Sequence, residues 1–546
     1  MTKGAPRMLL FLLLALFAVV GAEVVPGSVI MQSGSLVFQN KEDAKAIASG
    51  NFEDVMNSTG WSYLHVTTNG DYKDGYQAIA AGYLEGYLTA DLLEAQWHNY
   101  HDHFVADFTD KQVPDAVITF FTDHYSYMVQ QTQMKSYSDD YWYQVMLRLK
   151  ELQGMTDGYN AAGKKTQLSV IDMLMMTSEG DCYEIVPAVM QATEKDTRLS
   201  IPDFQAFDIE AERHFHFRTH CSALIKLSGN EVAAGHTTWT QMSEMVRVYK
   251  SFEYNFSTGK AKYSFSSKPG MLFSKDDYYT VETPAGHKMV VMETTNSIMN
   301  TTLYQFVKPQ TLLTWMRVPL AIRMAATPQQ WFEVFEKENS GTYCNQWMVL
   351  DTTTINADGT MQPGSFFVGE QIPGYVHYAD MTAVLNEQGY WPSYNIPYFK
   401  DIYTVSGYPN AVAKKGDGYS YTKCPRARLF AEHQATVTGA QGVFDLLRYN
   451  DPTDPVQNGS PAAAIASRYD LLPPTDPLHA AFGAIDAKTT DSSLLRTKSL
   501  ETASLIQSGP THNNGRPAFS WSGYVGQTYT HLGMPDAWNM PQVQSK

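Results

Sequence analysis

The chain is 546 residues long, 44% hydrophobic and 13% aromatic, with 33 Tyr, 26 Phe and 10 Trp. Such a chain buries enough apolar surface to offset its ordering entropy, which excludes a disordered protein; its length suits three or four domains or one large one. A formal net charge of −16 argues against nucleic acid as a partner, and four cysteines (Cys182, Cys221, Cys344 and Cys424) are too few for a disulfide scaffold.

The N-terminus carries Lys3 and Arg7, then an apolar run from Met8 to Val20, then Gly21-Ala22. Basic residues, a short apolar stretch and a small-residue site together predict a secretory signal peptide over residues 1–22. The run is too short to span a bilayer, and no later stretch is long and apolar enough to do so. Its removal leaves 38 basic against 56 acidic side chains. The sequons at Asn57, Asn255, Asn300 and Asn458 fit a secretory route, and a secreted or lysosomal location is expected. Pro461, just after Ser460, makes Asn458 the poorest of the four acceptors.

From Tyr76 to Ala162 the pattern is helical. Ala, Leu and aromatic residues recur at three- and four-residue spacing from Tyr76 to Phe104. Val113-Pro114-Asp115 and Ser138-Asp139-Asp140 open two further helices. Leu168–Met176 fits helix or strand. After about residue 205 the pattern becomes β: His214–Phe217 alternates, Cys221–Leu227 and Glu231–Trp239 flank a Ser228-Gly229-Asn230 turn, and Gln241–Phe256 reads as an amphipathic helix. Further strands are expected at Ala261–Ser267, Tyr278–Thr283, Lys288–Thr294, Trp347–Thr353 and Ser365–Glu370. The last 100 residues, rich in Pro, Gly and Asp, read as ordered loops over a core. The order of elements predicts an α+β fold.

The G-x-S-x-G, H-E-x-x-H, C-x-x-C and Walker A patterns are absent. Two histidine sets invite a metal reading: His98, His101 and His103 on a helix end, and His214, His216 and His220 beside Cys221. Neither has a clear complement of ligands, and no metal or other cofactor is assigned. The hairpin across Ser228–Asn230 is more informative. A loop at Ser228-Gly229 places Cys221 opposite His236; a loop at Gly229-Asn230 places it opposite Thr238, with His236 diagonal. Both put Cys221, His236 and Thr238 on one face, whereas a three-residue loop reverses this. A thiol facing an imidazole is a plausible nucleophile pair, and a buried Cys beside a satisfied His is the plainer alternative.

Cys221-Ser222-Ala223-Leu224-Ile225-Lys226-Leu227, a turn, then Gly235-His236-Thr237-Thr238-Trp239 resembles the phospholipase B-like family of secreted and lysosomal proteins. Further matches follow in order along the chain: Ala81–Gly86, Ser340–Tyr343, Asn345–Asp351, Glu370–Gly374, Tyr394–Tyr398, Ser406–Pro409, Arg448–Asn450, Arg468–Asp470 and Asp486–Lys488. The resemblance implies an N-terminal nucleophile hydrolase, a four-layer αββα sandwich matured by self-cleavage. It places the cut between His220 and Cys221, dividing one domain into residues 23–220 and 221–546. Cys221 would then be the nucleophile, with its freed α-amine as base.

By the same resemblance His236 orients substrate or amine, Thr238 and Trp239 line the pocket, and Asn395 is the candidate oxyanion donor. For Asn395 a turn residue, and for Trp239 core packing, are the plain alternatives. The chain departs from the family pattern at Cys344, where Asn is usual, and at Val456–Ala466, which lacks the usual cysteine pair. Thr219 leaves trimming around the cut open. The expected substrate is a phospholipid acyl ester; the alternatives are an N-acyl amide, cleaved by an amidase of the same fold, or no turnover, in a secreted binding glycoprotein. Oligomeric state stays open.

Overall fold

The helical region expected after Tyr76 is present, and local chemistry sets its boundaries. A computed structural model of the chain describes residues 23–106, 108, 110–193 and 220–546, so the signal peptide and the His214–Phe217 strand lie outside the described residues. Helices occupy Asp74–Leu88, Ala90–Ala106, Asp115–Lys135 and Asp140–Ala161. The run read as one segment from Tyr76 to Phe104 is thus two helices, broken where the Thr89 hydroxyl donates to the Glu85 carbonyl at 2.8 Å. Asp139 caps the fourth helix, accepting the Tyr141 N–H at 2.8 Å. A capping box between Ser169 and Asp172 makes the ambiguous stretch a helix, Val170–Thr177.

Four glycines set how the first and fourth helices meet. A Cβ on Gly82 would stand 2.0 Å from the Glu151 carbonyl oxygen, and one on Gly154 2.0 Å from that of Ile79; Gly86 and Gly158 are equally tight. The two helices therefore pack backbone to backbone. The Ala81–Gly86 match owes its glycines to this contact.

Two large sheets carry the rest of the chain. The first uses β1 (Val24–Gln32), β2 (Ser35–Gln39), β3 (Ala48–Asp54) and β4 (Ser62–Thr68) from the N-terminal part. After the helices come β5 (His220–Ser228) and β6 (Glu231–Gln241), which belong to the second sheet. The first sheet resumes with β7 (Val248–Tyr254), β8 (Ala261–Ser267), β9 (Tyr278–Glu282), β10 (Lys288–Thr295), β11 (Asn345–Asp351), β12 (Phe366–Ile372) and β13 (Tyr375–Asp380). Its eleven strands run in the order β13-β12-β11-β10-β9-β8-β7-β4-β3-β1-β2. All neighbours are antiparallel except β4 and β7, so strands from before and after residue 220 share one sheet.

The second sheet takes β14 (Tyr390–Ser393), β15 (Phe482–Ala484), β16 (Asp486–Asp491) and β17 (Leu505–Ser508), and ends on Val543–Gln544. Its order is β14-β5-β6-β16-β17 and then that last strand, with β15 also on β6. Helix Asp74–Leu88 packs on β1, β3 and β4; β10 packs on β5 and β6; helix Gly439–Leu447 packs on β5, β6 and β16. The architecture is α+β, with one buried cluster running through Leu84, Met155, Ile225, Val291 and Trp347. No helix among the described residues is long and apolar enough to cross a membrane.

Two expectations are corrected. Gln241–Phe256 is not a helix but a short 3-10 turn, Met242–Glu244, followed by β7. Both faces of β7 are buried, so its apolar residues do not alternate; Phe252 and Tyr254 instead stack with Tyr263 across the sheet. The C-terminal region is more than loops: β16 lies inside the second sheet, between β6 and β17.

Candidate active site

The hairpin register is settled by its turn. Ser228 pairs with Glu231 across the two-residue loop Gly229-Asn230, with Gly229 at φ +62°. Cys221 therefore lies opposite Thr238, and His236 opposite Ala223, one step along the same face. Trp239 points to the other face with Ser222. Cys221, His236, Thr238, Trp239 and Asn395 are all buried in the intact chain.

The thiol sits where β10 of the first sheet meets β5 and β6 of the second. Around it are two acids that the sequence did not single out, Asp277 just before β9 and Glu293 on β10. The Sγ of Cys221, a ring nitrogen of His236 and a carboxylate oxygen of Asp277 lie within 4.8 Å of one another. Burial pushes the Cys221 thiol well above its ordinary pKa, and Asp277 and Glu293 push it further. Burial raises Glu293 to about 7, and burial and the neighbouring Glu293 raise Asp277. Burial, then Lys488, lowers His236 well below the usual imidazole value, so the ring is neutral.

Strained backbone surrounds the thiol. Asp277, Tyr343 and Asn395 have φ of +60°, +49° and +69°, left-handed values that non-glycine residues rarely adopt and that gather at functional sites. Each is held by its neighbours. The Tyr343 hydroxyl donates to Asp277 Oδ2 at 2.7 Å, and Gln371 Nε2 donates to the Tyr343 carbonyl at 2.8 Å. Lys275 pairs with Glu179 and Glu244, and Asp276 with Arg247, so both residues before Asp277 are anchored.

Asn395 follows β14, the strand beside β5. Its Oδ1 accepts the backbone N–H of Cys221 at 2.9 Å. Its Nδ2 donates to the Thr295 carbonyl at 2.7 Å, and its own carbonyl accepts the Tyr408 hydroxyl at 2.9 Å. One of the two Nδ2 protons is thus committed to Thr295, and Oδ1 faces the backbone nitrogen of Cys221. Glu370 fixes the loop after Asn395 by accepting the N–H groups of Tyr398 and Phe399 at 2.7 and 3.1 Å. Matched segments scattered in sequence, Glu370–Gly374, Tyr394–Tyr398 and Ser406–Pro409, therefore converge on one residue.

Arg426 was also not foreseen. Its Nη1 donates to the Cys221 carbonyl at 2.6 Å and to Asn395 Oδ1 at 2.7 Å, and its guanidinium lies 4.4 Å from the Trp239 ring centroid. Trp239 reaches the site through this stack rather than by sharing a face with the thiol. Thr238 is held on its own face: its N–H donates to Asp486 Oδ1 at 2.8 Å, and its hydroxyl accepts from Lys488 at 2.7 Å. Asp486 in turn pairs with Lys488 and Arg247, which gives the Asp486–Lys488 match a buried ion network to build.

The remaining candidates are dispersed. His98 contacts Thr166, His101 the Trp97 ring and His103 Glu244, so the three do not share a centre. All four cysteine thiols are free and buried. Of the sequon asparagines, Asn57 and Asn458 are exposed, whereas Asn255 and Asn300 donate their Nδ2 to the carbonyls of Thr68 and Val405.

Fold and site together define a large α+β protein with a buried thiol near the start of an inner strand, ringed by an imidazole, two acids and an amide. The chain belongs to the phospholipase B family, whose model matches residues 48–545. It is 37% identical over 511 residues to phospholipase B-like protein B of Dictyostelium discoideum, covering 92% of this chain and 86% of that one. It is 34% identical to phospholipase B-like 1 of Bos taurus (93% and 90% covered) and 34% identical to putative phospholipase B-like 2 of Mus musculus (94% and 87%).

Proposed function

We propose that the protein is a secreted or lysosomal hydrolase that cleaves phospholipid acyl esters through Cys221, after self-cleavage at His220–Cys221. The observation that carries this reading is the hydrogen bond from the Cys221 N–H to Asn395 Oδ1. It holds the nitrogen that cleavage would free, while the hairpin and β10 hold the thiol of the same residue.

In the intact chain the Cys221 sulfur attacks the His220 carbonyl carbon. The S–C bond forms, the C–N bond breaks, and the thiol proton ends on the departing nitrogen. Water then opens the thioester, leaving a carboxylate on His220 and a free amine and thiol on Cys221. In turnover that amine takes the thiol proton as sulfur attacks the substrate carbonyl, and gives it to the leaving oxygen; water, deprotonated by the same amine, then opens the acyl thioester, releasing the fatty acid and returning the proton to the sulfur. Asn395 orients the amine, Arg426 fixes Asn395 and the Cys221 carbonyl, and His236 and Thr238 wall the thiol's side. The layering of helices, two facing sheets and a further helix fits the αββα arrangement of N-terminal nucleophile hydrolases.

The test is intact-mass analysis of the secreted protein. Two fragments are expected, one beginning at Cys221, and Cys221→Ala should leave one uncut, inactive chain. An uncut wild-type chain that hydrolyses lipid would refute the mechanism. Incubating the cut protein with phospholipids and N-acyl amides then assigns the substrate, and release from neither would sink the hydrolase reading.

A further inference from the structure

We propose that the cut form binds one thiophilic divalent cation, Zn²⁺ or a similar ion, through Cys221, His236 and Asp277, and that this ion reversibly blocks the nucleophile. The donor chemistry is that of a zinc site: a thiol, an imidazole and a carboxylate, brought together from β5, β6 and the turn before β9. Their donor atoms lie within 4.8 Å of one another. In a tetrahedral zinc site with bonds of about 2.0–2.3 Å, donors stand roughly 3.3–3.8 Å apart, so side-chain adjustments on the order of 1 Å close the set.

A second observation points to a ligand here. Neither ring nitrogen of His236 makes a well-formed hydrogen bond, although the Glu293 backbone is close enough to favour its charged form. Asp277 Oδ1 and both Glu293 oxygens make no hydrogen bond of good geometry, although the two carboxyls are close enough to share a proton and the Tyr343 hydroxyl is close to Glu293; all three residues are fully buried. Buried polar atoms are rarely left this way, and a cation satisfies an imidazole and neighbouring carboxylates at once. Lys488, whose charge is felt by Cys221, His236 and Glu293, is committed to Asp486 and Thr238.

A fourth donor comes from the cleavage described above, and the proposal rests on that reading for it. The α-amine freed on Cys221 and its own thiolate form a five-membered chelate with one ion. Binding replaces the thiol proton, and any proton held on the amine or by Asp277, with the metal; these protons leave to solvent and no electrons are exchanged. A thiolate and amine held in this way are neither nucleophile nor base.

The experiment uses the cut protein, stripped with a chelator, with its mass confirmed before any metal is added. Zn²⁺ alone is titrated while iodoacetamide alkylation of Cys221 is followed on its peptide, with Cys182, Cys344 and Cys424 as internal references. One equivalent should protect Cys221 and abolish turnover, with both restored by chelator. Co²⁺ in place of Zn²⁺ should give a thiolate charge-transfer band and the visible bands of a tetrahedral ion. Asp277→Asn and His236→Gln should each shift half-protection to at least about tenfold higher Zn²⁺, whereas His101→Ala should not. Alkylation of Cys221 at the same rate with and without Zn²⁺ overturns the proposal, as does protection unchanged in Asp277→Asn. An uncut chain is a different failure, that of the cleavage reading, and is visible in the mass at the outset.

Discussion

Asn395 spends its side chain in two directions, Nδ2 on the Thr295 carbonyl and Oδ1 on the Cys221 nitrogen, from a backbone at φ +69°. Loss of the side chain should release that nitrogen and slow self-cleavage by about 10²-fold, the scale of a misplacement near 1 Å. Asn395→Ala alone mixes this with strain, because alanine in the left-handed region costs roughly 1–2 kcal/mol. Asn395→Gly keeps the conformation and removes only the amide. Cleavage followed by gel densitometry should be slowed alike in both variants, and normal cleavage in the glycine variant would show that the side chain has no such role. Cys221, His236 and Thr238 were legible as a set because they lie within 18 residues on one hairpin and a strand repeats every second residue. Asp277 and Arg426 were not. Asp277 reaches the thiol from a turn and Arg426 reaches the Cys221 carbonyl from the first turn of a distant helix, Pro425–His433, and no local pattern marks an aspartate whose importance lies in a left-handed turn.

At the scale of elements, period and caps were informative wherever one face of an element meets solvent or a cap is local. Asp139 marks a helix start in the sequence as in the structure, whereas the Ser169–Asp172 box decides a stretch that the apolar pattern alone leaves between helix and strand. Where both faces are buried the signal fails, which is why the β7 sequence reads as a helix and that of β16 carries no strand pattern. The glycine-lined helix pair was visible only as a family match, since its cause is a contact between segments about 70 residues apart. Gly154→Ala tests that cause. Its Cβ would meet the Ile79 carbonyl oxygen at 2.0 Å, and backbone on both sides must yield. A loss of about 1–3 kcal/mol is expected in urea unfolding, the usual cost of overpacking, even though alanine is the better helix former. Unchanged stability would mean that the helices do not pack this closely.

Across the whole molecule, the dependence of stability on pH follows from carboxyls buried without a cationic partner. Burial raises Glu370 from its ordinary 4.5 to about 7, against the hydrogen bonds that it accepts from Gln346, Tyr398 and Phe399. It raises Asp181 from 3.8 to about 6 in the same way. For a group whose folded pKa is raised, the contribution to stability is fully present below the unfolded pKa and is lost as pH rises through the folded one. For Glu370 that window runs from about 4.5 to about 7 and carries on the order of 3 kcal/mol at 1.36 kcal/mol per pKa unit. Asp486 has the opposite sign: despite its burial, Lys488 and Arg247 hold it at about 2, and its contribution is lost only as pH falls from about 3.8 through 2. The two windows do not overlap, so Asp486 does not mask Glu370 near neutrality. Urea unfolding measured at intervals from pH 5 to pH 8 sums these carboxyls with the buried His124 and His236, whose lowered pKa values act with the opposite sign below about 6.5, so Glu370 is isolated by comparing a variant with the wild type. Relative to wild type, Glu370→Gln should gain stability between pH 5 and pH 8 by the Glu370 contribution, whatever that variant loses at pH 5 from a mismatched amide. An identical slope in the variant would mean that Glu370 is not the buried carboxyl that its hydrogen bonds describe.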